Sequence, residues 1–577
     1  MSDYDLVIRG GTVVDGSGAD RFKADVAVKD GTIVRVGTID GKGAQEIDAT
    51  GRIVTPGFVD VHTHYDGQVT WETRLLPSSN HGVTTVIGGN CGVGFAPCRP
   101  EDRGALISVM EGVEDIPEIV MTTGIPWNWE TFPEYLETLA NRQYDIDIGM
   151  QVPHSPIRVY VMGERGVKRE DSTEEDRREM RAIVKTAIEA GAIGVTTSRS
   201  WAHRAKTGDL APSIYCADEE VVQLAAGLKD AKGGVFQLVP EHPADSSGDL
   251  GLIERIAEVS ERPVSFTLME IPYHPQVWRD YVAGIDAMQA KGLEVNAQVA
   301  PRTVGFYMGL ELTLNPITTR PSYIEIADKP LAERVQIMRD PAFKAKILAE
   351  EPIQHPQALY NIATQSVHKM SELGTPPTYF PNPDDLLGAR AEREGTTPLS
   401  LAYDLLLEDD GHNILVLASA NYETKTDGPV REMMTHPHAA VALGDGGAHY
   451  GFVCDAGYPS FVLTYWTRQA APEQRLSLEW AINAMSHRPA AMIGMDDRGL
   501  IAEGKKADIN IIDYDHMTLH KPEVVYDLPA GGRRLWQKVD GFDATIVNGV
   551  VTQRHGKPTG ALPGRLVRGT GYVGANA

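Results

Sequence analysis

Apolar residues fall along this chain in two rhythms. At both ends they alternate or run β-branched over short stretches: 5–9 (D-L-V-I-R), 24–29 (A-D-V-A-V-K) and 32–37 (T-I-V-R-V-G) near the start, and 507–513 (A-D-I-N-I-I-D) and 542–553 near the finish. Asp30-Gly31 and Asn548-Gly549 interrupt such runs with pairs that tolerate positive φ, which predicts tight hairpins. Neither set has enough strands to bury a face alone, so the two are expected to pair into one small β-sandwich.

Between them short strands alternate with helical stretches. Strands are expected at 57–62, 83–89, 146–152, 192–197, 234–239, 263–268, 293–299 and 440–444, with helices such as 174–190 and 217–231 between several of them. Eight strands in this rhythm predict an α/β fold, a closed parallel (β/α)8 TIM-type barrel whose reactive groups lie at the strand C-terminal ends. The stretch from about 301 to 439 is too long for one βα connection and is expected as an insertion over the barrel mouth. The organisation is therefore 1–56 and 499–577 for the sandwich, and 57–498 for the barrel with its insertion. The Gly-rich tail, 555–577, reads as an extended arm, open to a contact with a second copy in a homo-oligomer.

Composition narrows the partners. The chain of 577 residues is 42% hydrophobic and 23% charged, with no apolar run long enough to span a membrane. Its 79 acidic and 54 basic residues give a net charge of −25, which argues against nucleic acid or an anionic membrane surface. The acidic opening, Met1 to Asp5, lacks the pattern of a secretory signal, and a cytoplasmic location is expected. Four scattered cysteines, Cys91, Cys98, Cys216 and Cys454, do not form a disulfide framework.

The chemistry gathers at strand ends. In Val54 to Asp66 (V-T-P-G-F-V-D-V-H-T-H-Y-D) a buried strand ends in two histidines one residue apart, and strand alternation points His62 and His64 the same way. Cys91 follows the second strand in G-G-N-C-G-V-G, and Asp445 follows the last in L-G-D-G-G-A-H. Each alone has an ordinary structural reading as a polar loop residue or small core side chain. Together, two imidazoles, a thiolate and a carboxylate from three strand ends suit a cation such as zinc.

These stretches carry a family resemblance. D-L-V-I-R-G-G-T-V-V-D-G at the start, P-G-F-V-D-V-H-T-H and the late A-D-I-N-I-I-D resemble the amidohydrolase superfamily, and G-V-T-T-V-I-G-G-N-C-G-V-G-F-A-P is similar to its N-acyl-D-amino-acid deacylase (D-aminoacylase) group. The resemblance implies a zinc hydrolase of a C–N bond, with His62, His64, Cys91 and Asp445 at family metal positions. It also shows a departure. The deacylases carry two further zinc-binding histidines and a lysine after the fifth and sixth strands, in motifs like T-H-M-R and S-H-x-K. The corresponding stretches here are 236–241 (F-Q-L-V-P-E) and 265–270 (S-F-T-L-M-E).

The expected site is therefore a one-ion site, with Glu241, His242, Glu270 and His274 as candidate substitute ligands. Asp445 would take a proton from metal-activated water and return it to the leaving nitrogen. Arg199, His203, Arg204, Arg302 and His449 are candidate substrate-binding residues, and Asp60 a partner behind His62. Tyr65 and Asp66 read as loop formers; Trp127, Trp129, Phe132 and Tyr135 as a pocket wall or as core. The expected activity is hydrolysis of a non-peptide amide bond in a small molecule, most like deacylation of N-acyl-D-amino acids. The alternatives are a hydrolase of cyclic or uncharged, xenobiotic amides or carbamates, and a non-catalytic binding relative that has lost the tight metal site.

Overall fold

A computed structural model of the chain describes residues 2–574. Eight short strands form its centre: β1 (Phe58–Asp60), β2 (Val83–Gly88), β3 (Asp147–Met150), β4 (Gly194–Ser198), β5 (Val235–Val239), β6 (Val264–Thr267), β7 (Val295–Val299) and β8 (Ala439–Val441). β1 to β3 pair in parallel in that order, and so do β4 to β8. The third strand, expected as continuous over 146–152, changes neighbours part-way: β3 pairs with β2, and the following Val152–Pro153 pairs with β4. The ring closes beyond the ends of β8 and β1. There the Asp445 N–H donates to the His62 carbonyl at 3.1 Å and the His64 N–H to the Gly446 carbonyl at 2.8 Å. β1 and β8 are shorter than the sequence pattern suggests because both leave the ladder early, into the turns that carry His62, His64 and Asp445.

The strands are buried on both faces because helices cover them, as a parallel sheet requires. Helix Glu174–Glu189 turns Met180, Val184, Ala187 and Ile188 inward, a spacing of four, three and one that makes a single apolar stripe. Between β7 and β8 the chain builds a three-stranded antiparallel sheet (Val304–Met308, Met370–Glu372, Leu415–Ala420) and several short helices around their own apolar cluster, which includes Met308, Leu310, Met338, Leu406 and Leu417.

The chain ends pair as expected, in one nine-stranded sheet. Ile53–Pro56 is its junction, lying parallel to Tyr4–Val13 and antiparallel to Ile509–Ile512. Both hairpins form at the expected pairs, with Asp30 and Asn548 each at φ 49°. The tail, expected as an extended arm, lies along the barrel of its own chain. Gly564 pairs with Tyr144, the Val567 N–H donates to Ile148, and the Gly569 N–H to Gly191, so the chain straps the N-terminal ends of β3 and β4. Gly564 permits this closeness, since a Cβ there would meet the Ile146 carbonyl at 2.1 Å. Residues 575–577 of the expected arm lie outside the described residues. Among the described residues no helix is long and apolar enough to cross a membrane.

His81, buried just before β2, ties the barrel to the C-terminal strands. Its Nε2 lies 3.0 Å from the Gln537 carbonyl and its Nδ1 2.8 Å from the Ser460 hydroxyl. A carbonyl only accepts, so Nε2 carries the proton and Nδ1 accepts from Ser460. Burial, aided by the positive charge of Arg302, pushes the His81 pKa down to about 3 even though the bond to Gln537 favours the charged ring. A base with a folded pKa below its unfolded value of about 6.5 stabilises the fold above that pH and loses the contribution as pH falls. Urea unfolding across a pH series is expected to show a shallower acid limb for His81→Gln, by up to about 1.4 kcal/mol per pH unit. Parallel limbs for the two proteins would refute this account.

Candidate metal centre

The turn after β1 puts both histidines inside. His62 and His64 are 2% and 1% exposed, and between them the Thr63 hydroxyl bonds the Ile87 carbonyl on the opposite side. The His62 Nδ1 lies 2.7 Å from Gln298 Oε1 on β7, while Gln298 Nε2 donates to the Ser265 hydroxyl. The amide oxygen can only accept, so Nδ1 carries the proton and the Nε2 lone pair faces the barrel mouth. That Nε2 is 3.4 Å from Cys91 Sγ and 3.6 Å from Asp445 Oδ1; His64 Nε2 is 3.7 Å from the same Asp445 oxygen. His62, His64 and Cys91 offer ligand atoms all within 4.8 Å of one another.

Cys91 reaches this point through a tight turn with φ 56°. Gly89 before it has φ 81°, and any Cβ there would meet the Gln151 carbonyl at 2.0 Å. Asn90 fixes the turn by donating its amide to the Thr63 and Ile87 carbonyls, which anchors Cys91 to the histidine turn itself.

The electrostatics are those of a donor set without a charge partner. Burial pushes the Asp445 carboxyl well above its usual range, and Asp455 and Asp60 push it the same way. The Cys91 thiol rises through burial and the charges of Glu114, Asp445 and Asp66. Burial holds His62 down at about 4 and His64 well below its ordinary value. Asp445 Oδ1 is buried and without a hydrogen-bond partner. A buried carboxylate oxygen without a donor, facing the Nε2 lone pair of His62 and the Nε2 atom of His64, is unfavourable alone and suits a cation placed among them.

One family model, described as the amidohydrolase family, matches residues 45–553. The chain belongs to this family. It is 31% identical over 235 residues to an N-acyl-D-aspartate deacylase of Alcaligenes xylosoxydans xylosoxydans, covering 40% of this chain and 42% of that protein. It thus spans under half the length of that curated relative. Two solved structures share the fold. One is a D-aminoacylase described as having a binuclear metal centre with one-metal activation and second-metal attenuation, at 20% identity, TM-score 0.64, and coverage of 98% of this chain and 100% of that one. The other is an N-acyl-D-glutamate deacylase from Bordetella bronchiseptica with zinc and a phosphonate inhibitor, at 21% identity, TM-score 0.63, and coverage of 98% and 99%.

The remaining candidates of this amidohydrolase fall in several places. Asp60 accepts from the His62 N–H at 3.1 Å, behind the ligand turn, and burial pushes it up to about 7. His203 and His449 lie near enough to His62 for like charge to oppose their protonation, and burial holds them at about 4 and 3. Arg199 is tied to Asp218 and the Cys216 carbonyl, Arg204 to the Gly208 carbonyl, and Arg302 to Asp455 while lying over the Tyr379 ring. Glu241 accepts from Tyr215 and Glu270 from the N–H groups of Glu423 and Thr424, so both carboxylates are engaged elsewhere. His242 packs on Tyr281, and His274 forms a local bridge with Ile271. Tyr65 and Asp66 are buried: the Tyr65 hydroxyl bonds Ser78, and Asp66 accepts from the Gly89 N–H. Trp129 and Tyr135 bond backbone carbonyls inside the core, with Phe132 packed beside them and Trp127 at the edge.

Two residues escaped the sequence reading. Gln298 is a polar side chain on the inward face of a buried strand, and Glu114 an acid on the apolar face of α1 (Arg103–Glu114), beside Met110 and Val113. In both, a polar residue at an apolar position was the available signal.

A second cluster, His154, Cys216 and Glu220, also has metal-like spacing. Here the Arg158 guanidinium already sits on both Glu220 oxygens, and His154 Nε2 adds a bond at 2.9 Å. Burial alone would raise the Glu220 carboxyl, but bonds and charges from His154 and Arg158 hold it far below its usual range. The cluster is a compensated ion pair. Glu220→Gln strands the buried guanidinium, so denaturant unfolding is expected to show a loss of about 3–5 kcal/mol. Metal content per chain, read by elemental analysis of the same preparations, is expected to stay unchanged; a parallel loss of metal would contradict this reading.

Proposed function

We propose that this amidohydrolase hydrolyses a non-peptide amide bond, using one zinc ion held by His62, His64, Cys91 and Asp445. The observation that carries the reading is the unpartnered Asp445 oxygen, 3.6 Å and 3.7 Å from the Nε2 atoms of two buried imidazoles, one of which touches Cys91. The cation, when bound, supplies Lewis acidity that activates water and polarises a carbonyl. Asp445 accepts the proton of the attacking water and delivers it to the leaving nitrogen, so the C–N bond breaks as the new C–O bond forms. Gln298 keeps His62 in the ligating tautomer. The fifth and sixth strands end in Val239 and Thr267, neither of which offers an imidazole, which supports one ion rather than two.

The relatives named above act on N-acyl-D-amino acids, and deacylation of that kind is the first activity to assay. One observation favours a second reading, an amide or cyclic amide with no free carboxylate. Arg199, Arg204 and Arg302, the guanidinium groups expected near the mouth, are all committed within the protein, and the buried acids Glu114 and Asp66 act on Cys91. Assaying N-acyl-D-amino acids against uncharged amides and cyclic imides separates the two.

Purified protein is expected to contain about one zinc per chain, and chelation to abolish hydrolysis. Asp445→Asn is expected to lower kcat by about 10²–10⁴-fold, the usual size of a lost general acid–base group. Protein without stoichiometric metal, or an Asp445→Asn variant with full activity, would move the non-catalytic binding reading ahead.

A further inference from the structure

We propose that Glu114 is a positioning residue for the metal centre, one carboxylate oxygen holding His64 and the other His449. The inference rests on the metal reading of the preceding subsection. Glu114 is the last residue of α1, which enters from the connection between β2 and β3. Its side chain is 1% exposed, and neither carboxylate oxygen has a hydrogen-bond donor within bonding geometry. Two imidazole nitrogens face it: His64 Nδ1 is 3.4 Å from Oε1, and His449 Nε2 is 3.5 Å from Oε2. Shortening each approach and aligning the ring N–H with the carboxylate oxygen would make each a hydrogen bond.

An ionised carboxylate only accepts, so in the metal-loaded site Glu114 would hold a proton on His64 Nδ1 and leave the lone pair on Nε2, the atom that faces Asp445. Gln298 does the same for His62 from the other side, but with a neutral amide. A carboxylate behind an imidazole raises its basicity more than an amide does, which makes His64 the stronger donor of the pair.

The backbone supports the same contact. The His449 N–H donates to the Glu114 carbonyl, the Gly451 N–H to Asp115 Oδ2 at 2.8 Å, and the Thr313 hydroxyl to the Asp115 carboxylate at 3.0 Å. The end of α1 thus latches the loop that carries Asp445 to the insertion. Within this latch Asp115 makes the structural bonds, while the Glu114 side chain faces the ligands.

The test uses full-length protein stripped of metal, with zinc affinity read by competition against a chromophoric chelator. Glu114→Gln and Glu114→Ala are expected to weaken zinc binding by about 10–100-fold, the usual cost of losing a partner behind a ligand. The metal-free Tm of both is expected to match or exceed that of the unaltered protein, because without the ion neither buried Glu114 oxygen is hydrogen-bonded. Asp115→Asn is the structural control, with a lowered Tm and zinc affinity within about twofold. If the Glu114 variants bind zinc as the unaltered protein does, or if their Tm and affinity fall together, the positioning role is overturned. If the unaltered protein itself binds no zinc, the metal reading falls and this role with it.

Discussion

The structure depends on how the barrel closes. β1 and β8 never meet as a regular ladder; the ring is sealed by the Asp445 N–H on the His62 carbonyl and the His64 N–H on the Gly446 carbonyl. These bonds belong to the turns that carry three of the four donor side chains. Closing the fold and assembling the site are consequently one event. A shift in the register of closure would leave Asp445 with neither imidazole, whatever else stayed intact. Gly444 belongs to the same constraint, since a Cβ there would meet Asp60 Oδ2 at 2.1 Å, with Asp60 already accepting from the His62 N–H.

The two ends of the barrel handle buried charge in opposite ways. At the N-terminal end Arg498 and Lys506 meet Asp147 and Asp508, so each buried charge has a partner. Burial still opposes ionisation of Asp147, but the two cations outweigh it and hold the carboxyl below its usual range. At the mouth Asp445, Glu114 and Cys91 have no such cation, and their proton affinities rise together. Groups left uncompensated in this way gather where a charge arrives from outside, whereas structural networks are balanced within the chain. The His154–Glu220–Arg158 cluster follows the structural rule although its residue types resemble a metal site.

Much of this was legible in the sequence. Alternation placed His62 and His64 on one face, Asp30-Gly31 and Asn548-Gly549 marked the hairpins, and the change of rhythm marked the barrel. The residues that escaped did so for a common physical reason. Glu114 and Gln298 act through atoms supplied by distant segments, and no local period reports which polar residue will face a ligand. The arginines show the reverse failure: a guanidinium near a strand end suggests a substrate contact, but its carboxylate partner, Asp218 or Asp455, comes from elsewhere in the fold. The tail escaped because its Gly-rich composition fits a free arm and a tightly apposed strap equally well.

The loss of histidines after β5 and β6 is more than a subtraction. Val239 follows Gln237 on one strand face and Thr267 follows Ser265 on another, and Ser265 accepts the amide that orients His62. Here β6 supports His62 through Ser265 and Gln298. The remaining site has all its donors on one side, from β1, β2 and β8, and smaller side chains on the other. Arg199, Arg204 and Arg302 are already bonded within the chain, so a substrate carboxylate would find no free guanidinium among them.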